Sequence, residues 1–159
     1  MSLIAALEKW TDGRMVSLKE SYRKHGLKAS GNWERELESE VKQSGNSVSI
    51  SISGSHYTEQ LVRGRGKTKK AGTGQTLQQA IRQWIDDKGI TPVRGDKDGL
   101  SWAISKKIHR EGIKVPNRFN SGTFIDEVFY TADGTLTEFQ KILADNYAKT
   151  IKQEITQGL

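Results

Sequence analysis

The segment Ser47-Val48-Ser49-Ile50-Ser51-Ile52-Ser53 decides the fold class. Serine alternates with a β-branched residue at every step. In an extended chain this puts all three apolar side chains on one face and the serines on the other. The segment therefore reads as a strand with one face for a core. Ser44-Gly45-Asn46, just before it, has the composition of a hairpin turn. The residues ahead of that turn fit two patterns. Trp33, Leu37 and Val41 stand four apart, as on a helix face, and they also share one face of a strand. The neighbouring strand decides between the two, because a strand pairs most easily with its sequence neighbour. Residues 34–43 and 47–53 are thus expected to form an antiparallel hairpin, with Glu34, Glu36, Glu38 and Glu40 in a row on its polar face. A third, shorter strand is expected from Tyr57 to Val62.

Helices surround this hairpin in sequence. Ile4, Leu7, Met15, Leu18 and Tyr22 keep helical spacing, so a helix is predicted over 2–25, capped by Ser2 and stopped by Gly26. Gly13 weakens it by about 1 kcal/mol relative to alanine. Thr76 and Gln79 form a capping box ahead of a continuous apolar stripe, Leu77, Ala80, Ile81, Trp84 and Ile85, which Gly89 ends. That stripe is expected to pack on the hairpin face carrying Val48, Ile50 and Ile52, with Trp84 buried. A further helix is predicted over 99–111, capped by Asp98, burying Leu100, Ala103, Ile104 and Ile108 and stopped by Gly112. Phe124, Ile125, Val128 and Phe129 suggest one or two turns. Leu136, Phe139, Leu143, Tyr147 and Ile151 mark a C-terminal helix to about Gln157.

The fold class is therefore α+β: an N-terminal helix, a hairpin or small sheet packed against two central helices, and a C-terminal helix. The 159 residues fit a single domain over 1–159, with 63–75 as a flexible basic loop. Hydrophobic residues at 34% leave a modest core and a large surface. There is no cysteine, which excludes disulfides and thiolate metal sites. No apolar run approaches the ~20 residues that cross a bilayer, and the start of the chain lacks a secretory layout, so synthesis in the cytoplasm is expected.

The formal charge of +6 is unevenly placed. Arg63, Arg65, Lys67, Lys69 and Lys70 supply five cations within eight residues that contain no acid. Gly64-Arg65-Gly66-Lys67-Thr68 looks towards a phosphate-binding loop, but the glycine that motif requires five residues earlier is Leu61, and no helix opens at Lys67-Thr68. Three readings of the loop stay open: a solvated surface, a contact with nucleic acid phosphates, or docking on an acidic patch of a neighbouring subunit, which the glutamate row could supply. His25, His56 and His109 sit apart, with no partner at metal-ligand spacing. No carboxylate pair or nucleophile–base pattern is visible, so no catalytic, cofactor-binding or metal-binding residue is assigned.

One ordered set of motifs carries a family likeness. Ser30-Gly31-Asn32-Trp33 precedes the hairpin; Tyr57 leads through Leu61-Val62 into Arg63-Gly64-Arg65-Gly66-Lys67. Ala80-Ile81-Arg82-Gln83-Trp84-Ile85 and Asp87-Lys88-Gly89-Ile90 follow, then Ala103 through Gly112. This order, over residues 30–112, resembles the tail-completion or neck proteins of tailed bacteriophages. The prolines common after Gly-Lys in that family are replaced by Lys69-Lys70-Ala71-Gly72.

The resemblance implies a virion structural protein, made in the host cytoplasm. It would assemble as a homo-oligomeric ring between portal and tail, around the channel through which DNA leaves, joining head to tail without performing chemistry. Its partners would be other neck, portal or tail proteins. The five cations of the loop are the expected contacts with a subunit or with DNA, and no membrane is involved. The alternative is a small basic DNA-binding accessory protein, which the pI of about 9.5 favours. An enzyme such as a nuclease, with a site assembled from distant residues, is the third reading.

Overall fold

The computed structural model describes residues 2–45, 47–69, 75–130 and 135–157. Its architecture is α+β. In chain order it runs α1 (Leu3–Lys24), α2 (Asn32–Arg35), β1 (Glu38–Ser44), β2 (Ser47–Ser53), α3 (Thr58–Arg63), β3 (Gly64–Arg65), α4 (Leu77–Asp87), α5 (Lys97–Glu111), β4 (Ile113–Lys114), α6 (Asp126–Phe129) and α7 (Thr135–Gln157). Where one domain over 1–159 is expected, the chain divides into two compact units. The first combines Met1–Tyr22, Leu37–Gly54 and Thr123–Leu159; the second combines Arg23–Glu36 and Ser55–Gly122.

The first unit holds the hairpin and the two terminal helices. Ser2 Oγ accepts from the Ala5 amide and starts α1, as the sequence predicts. The helix runs through Gly13 without a break and buries Leu7, Thr11, Leu18, Ser21 and Tyr22. The Ser21 hydroxyl donates to the Phe124 carbonyl at 2.8 Å, and the Tyr22 and Phe124 rings lie 5.9 Å apart. Phe124 and Val128, at and within the single turn of α6, complete this part of the core. The hairpin has the expected partners, with Val41 opposite Ile50 and Lys42 opposite Ser49. Along β2 the serines are exposed while Val48, Ile50 and Ile52 are half-buried. A groove of about 740 Å³ separates Leu3 and Leu7 of α1, Val48 and Ile50 of β2, and Phe139 and Leu143 of α7. The Trp10 and Phe139 rings are 5.2 Å apart, and Arg14 pairs with Glu138 at 3.6 Å.

The first strand is shorter than expected. Gly31, at φ +82°, turns the chain into the helical turn α2, and the strand begins only at Glu38. The four-residue spacing of Trp33 and Leu37 belongs to this helical approach. Trp33 is buried in the second unit, with its Nε1 donating to Thr58 Oγ1 at 2.9 Å. Thr58 in turn donates to the Ser55 carbonyl. The expected strand from Tyr57 to Val62 is α3 instead. Thr58 bonds Trp33 and Ser55 in a local turn, and among the described residues no strand pairs with this segment.

The second unit is built round α4 and α5, which pack on each other. The capping box of α4 is present: the Gln79 amide donates to Thr76 Oγ1, and the Thr76 amide donates to Gln79 Oε1. Gly89 and Gly112, both at positive φ, follow the ends of the two helices as predicted. The cap of α5 is Asp96, whose carboxylate accepts from the Gly99 amide at 2.7 Å, rather than Asp98. Its buried face is Ser101, Ser105 and Ile108, while Ala103 is exposed and Leu100 and Ile104 are half-buried. Both serine hydroxyls are satisfied within the helix, by the Asp98 and Trp102 carbonyls. Ile85 is fully buried, but Trp84 is 39% exposed, contrary to the expectation that it is buried. The hairpin that was its expected partner belongs to the first unit, and within its own unit α4 packs on α5.

Candidate functional site

The basic segment is drawn into a two-stranded ribbon. Arg63 ends α3, and Gly64-Arg65 pairs antiparallel with Ile113-Lys114, Gly64 opposite Lys114 and Arg65 opposite Ile113. Glycine makes the pairing possible on both sides. A Cβ on Gly64 would lie 2.0 Å from the Ile113 carbonyl oxygen, and one on Gly112 would lie 2.3 Å from that of Arg65. Both glycines have positive φ, which L-residues rarely adopt. The segment continues along the end of α5: the Thr68 amide donates to the His109 carbonyl at 3.2 Å. Thr68 Oγ1 accepts from Arg65 Nη2 at 3.1 Å and lies 2.7 Å from His109 Nδ1.

Of the five cations singled out in the sequence, the ribbon thus fixes Arg65, and Arg63 pairs with Glu59 at 3.8 Å with both side chains mostly exposed. Lys67 and Lys69 are exposed, and Lys70 lies outside the described residues. The ribbon adds cations that sequence reading did not connect with these. Lys106, Lys107 and Arg110 come from the last turns of α5, Lys114 from β4, and Arg118 from the turn beyond. The signal was there: Lys106-Lys107-Ile108-His109-Arg110 is a basic run, and Gly64 and Gly112 are paired breaks. Their pairing across nearly fifty residues was not deducible.

Across residues 63–69 and 106–118 the one acid is Glu111. A hydrogen bond from Arg110 holds its carboxyl below the usual range, with Lys107 and Lys114 adding to the effect. Two exposed aromatic rings flank these residues in sequence, each with a cation over it. Lys106 Nζ is 4.8 Å from the centre of Trp102, which is 52% exposed, and the Arg118 guanidinium is 4.3 Å from that of Phe119, 73% exposed. An open groove of about 580 Å³ runs between Arg63–Gly66 and Glu111–Pro116.

Charge is divided between the two units. The second has 18 Lys and Arg against 8 Asp and Glu, a net +10; the first has 7 against 11, a net −4. The expected glutamate row does not form. Glu34 lies in α2, where Arg23 holds it through two hydrogen bonds of 2.8 Å, and Glu36 follows that turn, which leaves Glu38 and Glu40 on the strand. His25 Nδ1 lies 3.3 Å from Ser121 Oγ, and His56 meets Tyr57 edge-on. Among the described residues no group of three or more His, Asp or Glu is placed to hold a metal ion, and no helix is long and apolar enough to cross a membrane. No family model, curated protein or solved structure gives a significant match to the chain.

Proposed function

We propose that the chain is a structural subunit of the head–tail junction of a tailed bacteriophage, a neck or tail-completion protein that forms part of a ring around the DNA channel. The observation that carries this reading is the far half of α7. Tyr147, Ile151 and Ile155 repeat every four residues on a single helix face and are 59%, 56% and 62% exposed. A contiguous apolar row held in water marks a surface that a partner covers. The order of motifs over residues 30–112 supports this reading through its resemblance to that family, and the partners it implies are further copies of the chain and portal, neck or tail proteins. The five cations at 63–70 would face an adjoining subunit or the DNA.

Native mass spectrometry tests this, on the chain alone and mixed with portal and tail proteins of a tailed phage. A closed oligomer, or a defined complex with either, supports the reading. A monomer that joins neither at any concentration overturns it.

The net +10 of the second unit favours a second reading, a small basic DNA-binding accessory protein. Such a protein would bind DNA as a monomer and take no place in assembled particles.

A further inference from the structure

We infer that the ribbon and the end of α5 form one nucleic-acid-binding tract, which grips the phosphate backbone with exposed lysines and arginines and contacts bases or sugars with Trp102 and Phe119. This inference names the ligand of the basic unit under either reading above. Its failure would leave the assembly reading standing, since that reading rests on α7.

The argument begins with continuity. Trp102, Lys106 and His109 stand at i, i+4 and i+7 on α5, so they share one helix face. That face leads to Thr68 through the His109 contact, and from Thr68 to Arg65. Arg65 lies on the strand opposite Ile113, next to Lys114. The Asn117 side chain donates to the Lys114 carbonyl, which ties the Arg118-Phe119 turn to the same strand. The tract therefore begins and ends on a cation-covered aromatic ring and is basic between them.

The composition of the tract selects the partner. Interfaces between proteins concentrate apolar side chains at their centre and are depleted in lysine. Here the centre is a backbone ribbon flanked by arginine and lysine, and the aromatic rings stand at the two ends. Surfaces that bind nucleic acid have the opposite arrangement to a protein interface: a cationic path along the backbone, with aromatic rings beside it on which bases stack. The single acid, Glu111, is paired with Arg110, so that pair is neutral overall and leaves the tract net positive. The contacts made by the ribbon are to phosphate and ring faces, neither of which reports base identity, so binding is expected to show little sequence preference.

The test is fluorescence anisotropy with a labelled mixed-sequence oligonucleotide, single-stranded and duplex, titrated with the full chain over a range of salt. Binding should weaken steeply with salt, with a log–log slope of about −0.9 per neutralised phosphate for duplex and about −0.7 for single strands. Replacing exposed Arg63, Lys67, Lys106 and Lys114 together with glutamine should flatten the duplex slope by about three to four. A thermal melt of that variant checks that it remains folded. Replacing Lys141, Lys149 and Lys152 of the first unit with glutamine should leave the slope unchanged. Trp102→Ala with Phe119→Ala should weaken single-strand binding several-fold without flattening the slope. The inference is overturned by no binding at low salt, by an equal loss from the first-unit variant, or by poly-glutamate displacing the oligonucleotide as well as unlabelled DNA does. That last result would assign the tract to an acidic protein.

Discussion

Gly64 and Ile113 lie so close that the α-hydrogen of the glycine occupies the only space available: a Cβ there would come within 2.0 Å of the Ile113 carbonyl oxygen. Backbone, not a flexible side chain, is the obstacle, and φ of +79° adds a second penalty. Gly64→Ala is therefore expected to part the ribbon or shift it, and to destabilise by about 1–3 kcal/mol from the backbone conformation alone. Gly66, two residues on, has open space around it and no positive φ. Gly66→Ala should be close to neutral. Urea unfolding of the two variants checks this, and equal stability would mean the ribbon does not form in solution.

The two neighbours Trp84 and Ile85 should rank opposite to their size. Ile85 is fully buried where α4 meets α5, and its truncation to alanine should cost about 2–5 kcal/mol. Trp84 is the larger residue but is 39% exposed, so Trp84→Ala should cost less than Ile85→Ala. Chemical denaturation measures both. A larger loss at Trp84 would show that this ring is covered in solution.

That ranking also shows how far the sequence was legible. Local signals were read well: the alternating serines of β2, the Thr76–Gln79 box, and the glycines after α4 and α5 each act within a few residues. Long-range choices were hidden. The stripe on α4 is apolar on both Trp84 and Ile85, and only its packing on α5 settles which one is covered. Trp33 fitted helix and strand spacing equally, until its bond to Thr58 held it in a helical turn. Thr58, which also bonds the Ser55 carbonyl, opens a helix over 58–63 where a strand from Tyr57 to Val62 was expected. At the candidate site the cations at 63–70 were evident, yet the union of those at 63–69 with Lys106, Lys114 and Arg118 depends on two glycines that meet from distant parts of the chain.

Asp86 gives the second unit a defined pH response. Its carboxylate accepts from Lys97 at 2.6 Å and from Arg82 one turn earlier, and Arg82 also donates to Asp98 at 2.7 Å. The Lys97 hydrogen bond, with Arg82 adding, holds the Asp86 carboxyl below its ordinary value of 3.8. A carboxyl lowered in the folded state binds fewer protons folded than unfolded, so its contribution favours folding above 3.8 and disappears as pH falls through the lower folded value. Asp86→Asn should thus melt below the wild type at neutral pH, and the two should converge in strong acid. High salt should narrow the neutral-pH gap, because the groups are exposed. A gap that persists unchanged in acid would place its cause elsewhere than in this carboxylate.

The apolar row on α7 provides the sharpest separation between folding and assembly. Leu143, Tyr147, Ile151 and Ile155 are four apart, so they form a single ridge inclined to the helix axis. The ridge lines the first-unit groove at Leu143 and Tyr147, and its last three members are exposed. Ile151 and Ile155 are 56% and 62% exposed, so replacing them with aspartate removes little buried packing, and stability should change by no more than about 0.5 kcal/mol per site. The charges would nonetheless sit at the centre of any surface that covers the ridge, where an unpaired carboxylate is costly. The double variant should therefore keep the wild-type melting temperature and lose the oligomer or partner complex seen by native mass spectrometry. Lys149 lies on the opposite side of the helix, and Lys149→Ala should alter neither measurement. If the double aspartate variant assembles like the wild type, the ridge is not the contact, and the head–tail reading loses the observation on which it stands.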